Sequence, residues 1–93
     1  MKLSSDHTRL LLAVAAGHAL KAHRHLDGRK EFRLHYADGR APEAVARRLA
    51  DDLTAAGLLD SNKKFPAATF WLTAEGRRVA AQVATLTPGS GSG

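Results

Sequence analysis

The chain has 93 residues, 44% of them hydrophobic, no cysteine, and a formal net charge of +5. That length gives one small domain, and the lack of cysteine excludes disulfides, thiolate zinc sites and a cysteine nucleophile. No segment reaches the eighteen or so apolar residues that a membrane helix needs. The short run Leu10 to Ala16 is better explained by helical stripes than by a signal peptide, so a cytoplasmic protein without membrane contact is expected.

Ser4 or Ser5 should cap a first helix, with Asp6 at the positive end of its dipole and Leu3 stapled onto its first turn. Leu10, Val14 and Gly17 lie on one stripe, with Leu11, Ala15 and His18 beside it, and Gly17 is the expected stop. Asp27-Gly28 within Leu20 to Tyr36 then signals a two-residue hairpin turn. In that register Leu26 pairs with Arg29, Lys30 faces His25, Phe32 faces His23 and Leu34 faces Lys21. Phe32, Leu34 and Tyr36 turn inward, while Arg24, Arg29, Glu31, Arg33 and His35 share a solvated face. Continuation of the first helix through Ala22 is the alternative.

Ala37 to Arg40 reads as a turn, and Pro42 suits the first position of a second helix. Val45, Leu49, Leu53 and Ala56 form its inner stripe, and Gly57 ends it. Glu43, Arg47, Arg48, Asp51, Asp52 and Thr54 point outward. Leu58-Leu59 enters a strand, Asp60 to Ala68 forms a loop carrying Lys63 and Lys64, and Thr69 to Leu72 returns. Thr73 caps a last helix with the stripe Val79, Val83, Leu86. The order is α-β-β-α-β-β-α, an α+β domain over 1–86, with a flexible Gly/Ser tail at 87–93 that is set aside from function.

The back half, with Ala55-Ala56-Gly57-Leu58-Leu59, a polar loop, Phe70-Trp71-Leu72 and Thr73-Ala74-Glu75-Gly76-Arg77, resembles winged helix-turn-helix proteins. It is similar to MarR-like and PadR-like regulators and to small actinobacterial proteins of that pattern. The resemblance implies an atypical winged helix: three helices, a β-hairpin and a wing, with the hairpin standing where a standard member has a short helix. It also implies that the helix before "AGLL" meets the DNA major groove and that the next loop is the wing. Arg47 and Arg48 would then contact bases or phosphates, and Lys63 and Lys64 the flanking backbone.

Charge placement agrees with that reading. Between Lys21 and Arg48 eight Lys/Arg stand against four acids. A one-sided basic surface suits a polyanion. Arg24, Arg29, Lys30 and Arg33 on the hairpin and Arg40 in the following turn complete the candidate DNA-binding set. Against it, Arg47 with Asp51 and Arg48 with Asp52 have the spacing of intrahelical ion pairs. Acids on that helix also require it to meet DNA by its N-terminal half or not at all.

No phosphate loop, GxSxG or HExxH is present, and Asp51 and Asp52 diverge by about 100° on a helix. No enzyme activity and no cofactor is expected. His23 and His25 share a strand face without a third ligand, so no metal is expected. Of the five aromatics only Phe70 and Trp71 are adjacent, and they read as strand core more than as base-stacking platforms. The expected function is a small double-stranded-DNA-binding transcription regulator, dimerising through Ala80, Ala81 and Ala84 of the last helix. The alternative is a winged-helix protein-interaction module, a phage or plasmid accessory or inhibitor protein. The sequence carries no cognate site, no effector and no sign of activation or repression.

Overall fold

A computed structural model of the chain describes residues 3–62 and 67–85. Lys63 and Lys64 at the loop tip, and Leu86 with the tail, lie outside the described residues. The elements are α1 (Ser5–Ala15), β1 (Ala19–Arg24), β2 (Lys30–His35), β3 (Glu43–Val45), α2 (Arg47–Ala55), β4 (Leu59–Ser61), β5 (Ala67–Leu72) and α3 (Ala74–Thr85). The expected α+β class with three helices holds, and the sheet has five antiparallel strands in the order β3-β2-β1-β5-β4. β3 is the element the sequence reading lacks.

Ser4 caps α1: its Oγ accepts from His7 N at 3.2 Å, and Ser4 N donates to His7 Nδ1 at 3.1 Å. An accepting Nδ1 leaves the ring proton on Nε2, which donates to Asp52 Oδ2 at 2.8 Å. One buried imidazole therefore closes the start of α1 and pins it to α2. Asp52 is taken by this contact, not by Arg48.

The hairpin turns one residue differently from expectation. His25 N donates to Arg29 O at 2.7 Å and Gly28 N to His25 O at 2.9 Å. The turn is therefore centred on Leu26-Asp27, with Gly28 (φ 91°) as the left-handed residue that follows it. Arg24 now pairs with Lys30, Ala22 with Phe32 and Leu20 with Leu34. The two-residue register would have placed Lys21 and His23 on the core face. Burial of Leu20 and Ala22 selects the other register, because a one-residue slip exchanges the faces of a strand. Arg24 consequently leaves the face it was expected to share with Arg33.

Leu20, Ala22, Phe32, Leu34, Ala68 and Leu72 face one side of the sheet and meet Leu10, Leu11, Leu49, Leu53 and Ala80 from the helices. Each buried leucine removes apolar surface from water worth about 1.5–3 kcal/mol. Lys21, His23, Arg33, Ala67 and Trp71 occupy the opposite face and are exposed. Trp71 is thus a correction: Phe70 packs on the core beside Phe32, and its neighbour points outward.

Pro42 does not open α2. Glu43–Val45 instead hydrogen-bonds to β2, with Val45 opposite Phe32 and Glu43 opposite Leu34. Pairing along β2 and partial burial of β-branched Val45 outweigh the helix propensity of Glu43 and Ala44. Proline is tolerated beside an edge strand such as this one. At the other end of α2, Gly57 N donates to Thr54 O and Leu58 N to Leu53 O, closing the helix.

The two halves of the motif are joined directly. Thr73 Oγ1 donates to Gly57 O at 2.6 Å, Thr73 N to Leu58 O at 3.1 Å, and Gly76 N to Thr73 Oγ1 at 2.9 Å. A Cβ at Gly76 would stand 2.0 Å from Leu58 O, so only glycine allows α3 this close to the strand.

Candidate nucleic-acid interface

β3 ends beside the start of β2, and this return brings Arg47 to the hairpin. Arg29, Lys30 and Arg47 line one concavity of about 420 Å³, together with His25 and Glu31. Arg47 and Arg48 are the first two residues of α2, not a turn and a half along it. Ala46 stands at the cap position and offers no side-chain hydrogen bond. The positive end of the helix dipole and its first amides therefore open beside three cationic side chains. An anion is what such a concavity suits.

The remaining residues of the expected set are spread. Arg24 pairs across the strands with Lys30, next to the concavity. Arg33 projects from the open face of the sheet. Arg40 lies beyond the far end of β2, about 20 Å away at the rise of a six-residue strand. Its guanidinium sits 4.0 Å from the centre of the Tyr36 ring. Lys63 and Lys64 lie outside the described residues.

Most of these arginines have a carboxylate partner close in sequence. Arg29 binds Asp27 at 2.8 Å, Arg33 binds Glu31 at 2.8 Å, Arg40 binds Asp38 at 2.8 Å and Arg47 binds Asp51 at 3.2 Å. Arg48 has no ion-pair partner among the described residues. The Arg29 backbone amide, then its side chain, holds the Asp27 carboxyl below its ordinary pKa. Arg33, then His25, lowers that of Glu31, and Arg40 lowers that of Asp38. Glu43 accepts the Tyr36 hydroxyl proton at 2.7 Å and raises the phenol. The described residues carry eleven Lys/Arg against nine Asp/Glu, so three of the five net charges belong to Lys2, Lys63 and Lys64.

His23 and His25 do not form a ligand pair on one strand face. Their rings meet edge to face at 5.2 Å, and His25 lies past the end of β1 against Glu31. Among the described residues no group of three or more His, Asp or Glu could hold a metal ion.

Trp71 is the surface residue that sequence reasoning missed. It borders an apolar groove of about 730 Å³ between the end of α1, β5 and α3, where Ala80, Ala81, Ala84 and Arg77 form one wall. Its alternation with buried Leu72 was the available signal. Among the described residues no helix is long and apolar enough to cross a membrane. No family model matches the chain, and neither does any curated protein or solved structure.

Proposed function

We propose that this domain binds double-stranded DNA and acts as a small cytoplasmic transcription regulator, without catalysis. The observation that carries the reading is the convergence of Arg29, Lys30 and Arg47 on the uncapped start of α2. It favours end-on docking. Arg47, Arg48 and the first amides of α2 meet the phosphate backbone, and Arg24, Arg29 and Lys30 add contacts from the hairpin. Asp51 faces outward one turn further on and would repel phosphate, which argues against laying the whole helix in the groove. In this reading Lys63 and Lys64 reach the flanking backbone, while Arg33 and Arg40 contribute only to the wider positive field. Two copies pair through the apolar groove of α3, where the small side chains of Ala81 and Ala84 permit close approach and Trp71 supplies an aromatic anchor.

Fluorescence anisotropy of a labelled duplex at several salt concentrations tests the reading. Each phosphate contact contributes about −0.9 to the slope of log K against log salt, so four contacts give about −3.6. Replacing Arg47 and Arg48 by alanine should weaken binding and flatten the slope by about 1.8. Unchanged binding in that double variant rules out the α2 end as the docking point.

A protein-interaction module is the second reading. The carboxylate partners of Arg29, Arg33, Arg40 and Arg47 and the apolar groove beside Trp71 favour it. Salt-independent or absent duplex binding, with retained binding to a protein through the Trp71 groove, would select it.

A further inference from the structure

The apex of the β1–β2 hairpin carries a leucine for which the fold has no use. Leu26 has a relative exposure of 109%, so its whole side chain is in solvent. It does not dangle from a loose loop. The apex is held by His25 N to Arg29 O at 2.7 Å and by Gly28 N to His25 O at 2.9 Å. Asp27 adds two more bonds, accepting from Arg29 N at 3.0 Å and from Arg29 Nε at 2.8 Å. The turn therefore presents Leu26 in a fixed position at the tip of a braced ribbon. Behind it stand Arg24 and Lys30, cross-strand partners, and Arg29.

The tip sets Leu26 beside Asp27, whose carboxylate is neutralised by Arg29 at 2.8 Å. An apolar residue so placed, with cations behind it, is the arrangement that parts stacked bases while gripping the phosphates on either side. Apolar wedges that part base steps enter from the minor groove and kink the duplex toward the major groove. Two strands stand about 4.8 Å apart before their side chains are counted. The minor groove is only about 6 Å wide. A ribbon of that width stops at the groove mouth, and only its apex passes.

We propose that Leu26 is a wedge that inserts between two base pairs from the minor groove and kinks the duplex, with Arg24, Arg29 and Lys30 on the flanking phosphates. The proposal rests on the duplex-DNA reading above and adds to it a deformation. Insertion removes the leucine from water, which offsets part of the cost of unstacking. That cost is lowest at pyrimidine–purine steps, so a wedge confers a preference for TA over an A-tract without reading any base edge.

The test uses the full chain and two short duplexes, one with a central TA step and one with a central A-tract, each carrying a fluorophore pair at its ends. Anisotropy reads binding, and energy transfer between the ends reads the bend. The wild type should bend the TA duplex and prefer it by roughly tenfold. Leu26→Ala should still bind, with neither bend nor preference, and Leu26→Phe should restore both. The alanine variant should melt at the wild-type temperature, since Leu26 buries nothing. An equal bend in Leu26→Ala, or a wild-type complex with straight DNA, overturns the wedge and leaves duplex binding standing. Failure of the wild type to bind either duplex overturns the duplex reading and the wedge with it.

Discussion

At the scale of single residues, the close approach of Gly76 to Leu58 sets the sharpest expectation. Gly76→Ala inserts a methyl group where a carbonyl oxygen stands 2.0 Å away, so α3 must move off the strand. The loss should be about 1–3 kcal/mol or more. A thermal or urea melt measures it, and an unchanged midpoint would mean α3 does not pack on Leu58. Asp27, Glu31 and Asp38 give an acid-side expectation. Their carboxyls titrate below their ordinary values because of Arg29, Arg33 and Arg40, so the folded state holds the charged form more tightly than the unfolded chain does. Their contribution is complete above the ordinary carboxylate range, about pH 4, and fades as pH falls through the lowered folded values. Between pH 6 and 8 these groups should leave stability flat, and a pH series of melts reads this directly. Single residues were unevenly legible in the sequence. The cap was readable as Ser4 or Ser5 because a hydroxyl acts locally, and the structure selects Ser4. The link from His7 to Asp52 was not, since it joins positions 45 residues apart in the chain. Phe70-Trp71-Leu72 looked like an unbroken core run, and only the parity imposed by Leu72 turns Trp71 outward.

Among the elements, the inward face of β2 was secure because Phe32 and Leu34 alternate with charged residues whatever the partner strand does. The register of β1 was not. It depended on whether Asp27-Gly28 forms the centre of the turn or Gly28 follows it, and burial of Leu20 and Ala22 decided the matter. The start of α2 failed for a related reason. Residues 43–45 satisfy a helical stripe and an edge strand equally, and only the edge of β2 makes the strand preferable. The observed start places Ala46 at the cap position, where its side chain offers no hydrogen bond, and this has a measurable consequence. Ala46→Asp should cap the helix and raise stability by about 1 kcal/mol. The same carboxylate occupies the place proposed for phosphate, so duplex affinity should fall while the melting temperature rises. A variant that gains in both would contradict end-on docking. Asp51→Asn should act in the other direction on binding, since it releases Arg47 and removes a repelling charge.

At the scale of the whole molecule, the α+β class and the number of helices were readable from periodicity and turn residues, whereas the fifth strand and the separation of basic residues into distinct places were not. Arg33 and Arg40 are close to Arg29 in sequence, yet the sheet sends one to its open face and the other to the far end of β2. The groove along α3 carries the prediction at this scale. Trp71 is the only tryptophan, so pairing through the groove should shift its emission to the blue as concentration rises. Sedimentation velocity should show a dimer for the wild type and a monomer for Trp71→Glu. A monomeric wild type at every concentration would remove the groove as a self-association surface.

The position of β1 has a further consequence for how the chain is made. Leu20 hydrogen-bonds within a sheet whose two neighbouring strands arrive at very different times. Leu34 on one side follows fourteen residues later, and Phe70 on the other follows fifty residues later. As the polypeptide leaves the ribosome, the hairpin can close at once, while the second edge of β1 waits through the synthesis of β3, α2 and β4. For that interval a row of backbone donors and acceptors lies open beside an unfinished core, and any extended segment of another nascent chain can occupy it. The strand at the centre of the finished sheet is the last to be enclosed, and slow arrival of β5 is the step at which this domain is most exposed to mispairing.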